Sequence, residues 1–227
     1  MRQLDFTDYI TIFWFFHPRR KESVFMKRFI LLGVLMSVMT LGGCAGSGEV
    51  FQLRLHDVMH PSMEHAGGNL SVVVSDFSDQ RPQTKHLGSH VCITGHITHF
   101  DLMDSNLGKG VSDTFVDFLQ KSGFQVNSGT SEAADVRITG KVTTFSANAT
   151  GKFLRTNLEV ETIMEFVIAN VADGSTIHMT IGAGGTDEVT FFGPEDMETL
   201  VNEVLQEGFE ELIEQTVVQG KTLRRKI

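Results

Sequence analysis

From Val50 onward, apolar residues recur at two spacings. In "VFQLRLH" they alternate, with Phe51, Leu53 and Leu55 on one face and Gln52, Arg54 and His56 on the other. That is the pattern of a half-buried strand. "NLSVVVSDF" predicts a second strand over Leu70–Phe77, rich in β-branched residues and broken by "SDQRP". "HVCITGHITHF" predicts a third, His90–Phe100. "DVRITGKVTTF" sets Val136, Ile138 and Val142 against Arg137, Thr139, Lys141 and Thr143. Asn148-Ala149-Thr150 then reads as a hairpin loop. Two further alternating runs, Leu158–Val171 and Ser175–Thr186, meet at Asp173-Gly174, a strong turn signal. A two-residue loop there places Ile168 opposite Met179 and Phe166 opposite Ile181, all on the apolar face.

Two stretches change to helical spacing. Leu107–Ser122 carries Leu107, Val111, Phe115, Phe118 and Leu119 on one stripe and stops at Gly123. Pro194–Val218 opens with Pro194, Glu195 and Asp196, suited to a first turn. Its stripe is Met197, Leu200, Val201, Val204, Leu205, Phe209, Leu212 and Ile213, opposite an acidic face. A stripe of this kind is a core face, and the glutamates are a solvated one. The predicted fold class is α+β: a two-layer sandwich, mostly antiparallel sheet, with two helices on one face.

Composition adds little to this until the front of the chain. Hydrophobic residues make up 41% and charged residues 21%, as in ordinary globular chains. Residues 1–43 hold six basic and three acidic residues. Without them 13 basic residues face 25 acidic, a net charge of −12. So acidic a body argues against nucleic acid as a partner, since phosphate contacts need clustered Lys and Arg. Residues 220–227, which hold the basic run "KTLRRKI", read as a solvated tail.

"MKRFILLGVLMSVMTLGGC" has a charged start in Lys27 and Arg28, then 13 apolar-rich residues from Phe29 to Leu41. That length suits a signal-peptide core and is short of the ~20 residues of a membrane span. Leu41, Gly42, Gly43 and Cys44 resemble the lipobox of bacterial lipoproteins. The resemblance implies cleavage before Cys44, diacylglycerol on its sulfur, an N-acyl chain on its amino group, and no other cofactor. The competing reading is a short core helix ending at a buried cysteine. Residues 1–25 carry acids near their start and a second apolar patch, Tyr9–Phe16. Met26 is the expected translation start, with 1–25 as an upstream extension. The expected organisation is then 26–43 signal peptide, 44–49 lipidated tether and 50–219 a single α+β domain. Ala45 after the anchor, by resemblance to enterobacterial sorting, implies the outer membrane, with the domain on the periplasmic face.

At "NLSVVVSDFSDQRP" the chain resembles the YajG family of bacterial lipoproteins. The likeness lies in the order of elements and in short motifs: Asp79-Gln80-Arg81, Gly123-Phe124 and "ADVRITGKVTTFSA". It covers Val50 to Val218. It implies an envelope lipoprotein without enzymatic activity and supplies no catalytic residues.

Histidine is the conspicuous candidate for chemistry. "HDVMHPSMEH" and "HVCITGHITH" invite a metal site of His56, His60, His90, Cys92 and His96, since imidazole and thiolate bind zinc or copper. Exposed strand and loop histidines are the plainer reading. With Cys44 lipidated, Cys92 has no partner for an intramolecular disulfide and reads as an unreactive strand residue. Asp76, Asp79 and Arg81 gather at a strand end, as a carboxylate–guanidinium turn or as a ligand-binding one. "TIGAGGTDE" leads into no helix, so its glycines fit a bulge or a close backbone approach and not a phosphate loop. The leading expectation is a non-enzymatic lipoprotein held to the outer membrane through Cys44, with an envelope protein as partner. The alternatives are a periplasmic ligand- or metal-binding module and an auxiliary lipoprotein of an envelope transport complex.

Overall fold

A computed structural model describes residues 48–55, 68, 70–103, 106–127 and 134–226. Within them the elements run β1 (Val50–Leu53), β2 (Ser71–Val74), β3 (Ser78–Asp79), β4 (Gly88–Val91), β5 (Ile97–Leu102), α1 (Leu107–Lys121) and β6 (Gln125–Asn127). There follow β7 (Val136–Lys152), β8 (Arg155–Asn170), β9 (Thr176–Val189), α2 (Pro194–Glu214), β10 (Thr216–Gln219) and β11 (Thr222–Arg225). An α+β fold is what the patterns predict.

The long strand β7 organises the sheet. Along one edge it pairs antiparallel with β8, which pairs antiparallel with β9. Along the other edge its first half takes β2 and β3 and its second half takes β4, all parallel. Beyond these, β6 joins β2 and β5 joins β4, and β1 closes the row beside β5. The sheet is therefore mostly antiparallel, as expected, but mixed, with short parallel pairings the patterns do not predict. The long registers are antiparallel, but β1–β5, β2–β6 and the strands that share β7's other edge are parallel. Parallel neighbours come from distant parts of the chain, and no local pattern announces them.

A bulge keeps β7 in register with its core. Partners shift between Val142 and Thr144, leaving Thr143 extra, its hydroxyl donating to the Ile163 carbonyl at 3.1 Å. Before it the buried positions are Val136, Ile138 and Val142; after it they are Phe145, Ala147 and Ala149. One inserted residue switches the parity and so holds the apolar set on one face.

The β8–β9 hairpin differs from the predicted register by two residues. Ile168 faces Ile177 and Phe166 faces Met179. The Asn170 N–H bonds the Ser175 carbonyl at 2.8 Å, so the loop is four residues, Val171–Gly174. Asp173 accepts from the Ser175 backbone at 3.0 Å and Gly174 takes a φ of 70°. An even shift leaves every side chain on its predicted face. The predicted loop at Asn148-Ala149-Thr150 is strand instead, and the chain turns at Phe153-Leu154, between paired Lys152 and Arg155.

Both helical stripes are buried as read. Helix α1 starts at Asn106, whose side chain accepts from the Lys109 N–H at 3.0 Å. It stops at Gly123, with φ 86°. The Phe115 and Phe209 rings join the helices at 5.0 Å, and Phe115 and Phe77 carry the contact to Phe166 on β8. Gly185 lets α2 approach the sheet: a Cβ there would lie 2.8 Å from the Val204 side chain. Helix α2 ends at Glu214, short of the predicted Val218. Thr216-Val217-Val218 is β-branched and pairs with Thr222–Arg225 through a turn at Gly220. The basic segment is thus no solvated tail. Leu223 is buried, and the buried Asn170 side chain both accepts from its N–H (2.8 Å) and donates to its carbonyl (3.0 Å).

Candidate functional site

Polar side chains converge where β3, β5 and the β3–β4 connection meet the start of α1. A cavity of about 120 Å³ lies there, lined by Asp79, Arg81, Lys85, His86, Asp101 and Leu107, among others. Asp79 lies on β3 and Arg81 two residues beyond it, so a short turn brings them together. Arg81 Nε donates to Asp79 Oδ1 at 2.9 Å and Nη2 to Oδ2 at 2.8 Å. Its Nη1 reaches the His86 and Phe145 carbonyls at 3.4 and 3.5 Å. The residue is 8% exposed. Burial pushes the Asp79 carboxyl up, but the hydrogen bonds and charge of Arg81 outweigh that and hold it below its ordinary value.

Across the cavity, His86 Nδ1 lies 2.9 Å from Asp101 Oδ1 and the His86 ring stacks on His99 at 4.2 Å. Sequence reasoning singled out none of these three as a group. The available signal was parity: His99 and Asp101 are two apart on β5 and share a face. The cavity is therefore lined by carboxylates already matched to Arg81 and His86. That arrangement locks the β3–β4 connection against β5 and β7. Asp76 is exposed and lies outside the Asp79–Arg81 pair.

The histidine set predicted for metal is not brought together. His56 and His60 lie outside the described residues. The single strand predicted over His90–Phe100 is a hairpin: Gly95, φ 84°, donates to the Cys92 carbonyl at 2.9 Å and turns the chain. On one continuous strand His90, Cys92 and His96 would share a face, and the turn removes that. His96 is exposed at the turn, while His90 is buried under Phe192, ring centroids 4.3 Å apart. Burial lowers the His90 pKa. Among the described residues no three His, Cys, Asp or Glu side chains converge as metal ligands.

Cys92 is buried, its sulfur 3.9 Å from both His90 ring nitrogens. It is disulfide-bonded, which departs from the expectation that it has no intramolecular partner. The chain's one other cysteine, Cys44, lies outside the described residues, as do the signal peptide, the upstream extension and most of the tether. A cysteine whose sulfur carries a lipid thioether cannot also form a disulfide. The two chemistries exclude each other in any one molecule.

No helix among the described residues is long and apolar enough to cross a membrane. No family model matches the sequence, so membership of the YajG family is not established. No curated protein matches it either. In structure the chain is similar to a DUF330-model protein from Xanthomonas campestris, at 10% identity and a TM-score of 0.45, over 73% of this chain and 93% of that one. It is also similar to the hypothetical protein CT253 from Chlamydia trachomatis, at 8% and 0.42, over 64% and 96%. A third is lipoprotein GNA1162 from Neisseria meningitidis, at 9% and 0.25, over 61% and 96%. At these values the likenesses carry no function to this chain.

Proposed function

We propose that this chain is a lipid-anchored protein of the bacterial cell envelope, held at the periplasmic face of the outer membrane through Cys44. It works by contact with an envelope protein and not by catalysis. The observation that carries the reading is the order of Lys27-Arg28, the apolar run Phe29–Leu41 and Leu41-Gly42-Gly43-Cys44. Diacyl and N-acyl chains together give stable anchoring, at roughly 0.8 kcal/mol per buried methylene. Two features support a binding role. Both carboxylates of the cavity already have partners, Asp79 the Arg81 guanidinium and Asp101 the His86 ring. The body is strongly acidic, which suits steering toward a basic partner surface.

The test is the intact mass of the mature protein, extracted from membranes without reductant. A mass carrying the acyl chains at Cys44 is the expected result. An unacylated chain carrying a Cys44–Cys92 disulfide would overturn the anchor. Expression of Cys44→Ala should move the protein from the membrane to the soluble periplasmic fraction. Crosslinking in intact cells then reads the partner.

A further inference from the structure

Large apolar side chains are exposed together at one end of the sheet. Phe153 and Leu154, at the β7–β8 turn, are 78% and 72% exposed; Ile93, in the β4–β5 turn, is 63% and Phe191, just past β9, is 89%. The β4–β5 turn lies against the end of β7, since a Cβ on Gly151 would lie 3.0 Å from the Ile93 nitrogen. Phe191 is pinned nearby because its neighbour Phe192 packs on His90, which faces Ala149 near the end of β7. Folding does not account for Leu154. Its φ is 65°, a left-handed conformation that favours glycine and asparagine and is strained for a leucine. A bulky apolar residue stands at a position where the backbone disfavours one and where it is mostly exposed.

The chain emerges at this same end. The Gly48 N–H bonds the Ile97 carbonyl at 2.9 Å. Ile97 lies opposite Val91, Val91 opposite Thr150, and Thr150 opposite Asn157. Gly48 is thus in one transverse row with the last residues before the Phe153–Leu154 turn. Cys44 is four residues further back, a reach of at most ~14 Å. The other end of the β8–β9 hairpin is charged and tied down: Arg224 pairs with Asp173 and bonds the Ser175 hydroxyl at 3.0 Å. The 16 residues of β8 put the two ends ~50 Å apart.

From this geometry we infer that the end bearing Ile93, Phe153, Leu154 and Phe191 is a second membrane contact, seated in the lipid surface beside the acyl chains of Cys44. The inference rests on the lipid-anchored reading above. A tether this short allows the bilayer to meet only the end from which it departs. The apolar residues there would enter the headgroup and upper acyl region, as the apolar faces of interfacial segments do. Lys152, Arg155, Asp187 and Glu188 stand behind the turn, with Arg155 paired to Glu188 at 2.9 Å, so an apolar tip projects from a charged rim. The anchor and the seat together would hold the strands steeply to the membrane and present the charged end to the periplasm.

The chain offers a clean optical test, since Trp14 and Tyr9 are its only Trp and Tyr and both precede Cys44. Acylated full mature protein carrying Phe153→Trp, Phe191→Trp or, as the distant control, Val171→Trp would be reconstituted into phosphatidylethanolamine–phosphatidylglycerol vesicles. A fraction of the lipids is brominated high on the acyl chain. The expected result is blue-shifted emission and at least about twofold quenching at 153 and 191, with none at 171. Leu154→Gly in the Phe153→Trp background should reduce the quenching while leaving thermal stability equal or higher, because it removes the backbone strain. Equal quenching at all three positions, or none at 153 and 191, overturns the seat. Shielding of residue 153 from aqueous acrylamide without lipid quenching overturns it too and assigns that end to a protein partner. The intact mass of the same sample separates the two readings: acylated but unquenched protein removes the seat alone, whereas unacylated protein removes the anchor and with it the seat.

Discussion

Asp79→Ala should be among the more damaging single substitutions near the surface of this fold. It removes both carboxylate oxygens from a guanidinium whose side chain is only 5% exposed, leaving carbonyl contacts at 3.4 and 3.5 Å. Stranding one member of a buried ion pair costs about 3–5 kcal/mol. The Asp79 side chain is 23% exposed, so water can enter the vacated space, and about 2–3 kcal/mol is the better figure. For a domain of this size that is a fall in Tm of about 5–10 °C. Arg81→Met leaves the better-hydrated partner alone and replaces the buried stem with one of similar length, so it should cost less, about 1–2 kcal/mol. Urea unfolding followed by far-UV circular dichroism at pH 7 measures both, and the double variant gives the coupling, about 1–2 kcal/mol. The pH dependence has a fixed sign. The folded carboxyl titrates below its unfolded value of 3.8, so its stabilisation is complete above about pH 4 and is lost as pH falls through the depressed value. A cost below about 0.5 kcal/mol for Asp79→Ala, or a larger cost for Arg81→Met, would refute this account of the cavity.

Two further outcomes follow from buried polar groups. Burial lowers the His90 pKa, so the unfolded chain protonates first: stability should be unaffected above about pH 6.5 and decline as pH falls from there to the folded value. His90→Gln should flatten that stretch of the pH–stability curve, a window distinct from that of Asp79. Asn170→Ala removes the two hydrogen bonds that hold Leu223, and should cost about 2–3 kcal/mol. Hydrogen exchange should show the β10–β11 amides losing protection ahead of the β7–β8 ladder; simultaneous loss would contradict the role given to Asn170.

What could be read in the sequence follows the range of each interaction. The helical stripes depend on residues three and four apart, and every predicted stripe position is buried. Hairpin faces depend on parity alone, so an error of two in the β8–β9 register left them intact. Single-residue devices were not legible. Thr143 looks like any strand threonine, yet as the bulge it switches which residues of β7 are core. Gly95 split a run that looked like one strand, and with it went the grouping of His90, Cys92 and His96. The cavity was half legible: Asp79 and Arg81 are two apart and met, whereas His86 meets Asp101 only because β4 folds back on β5.

Cys44 and Cys92 bring the local and distant readings into conflict. A lipid thioether resists thiol exchange, whereas a disulfide forms and breaks by it. Acylation of Cys44 before folding therefore takes its sulfur out of thiol exchange for the life of the protein. Folding with an unmodified Cys44 in an oxidising compartment leaves the disulfide open to form. The consequence for orientation is nearly the same either way. Gly48 is hydrogen-bonded to Ile97, and four residues cannot carry Cys44 to the Asp173–Arg224 end of the sheet, ~50 Å off. Which bond Cys44 makes decides whether a membrane lies beneath Phe153 and Leu154. It does not decide which end of the domain would face one.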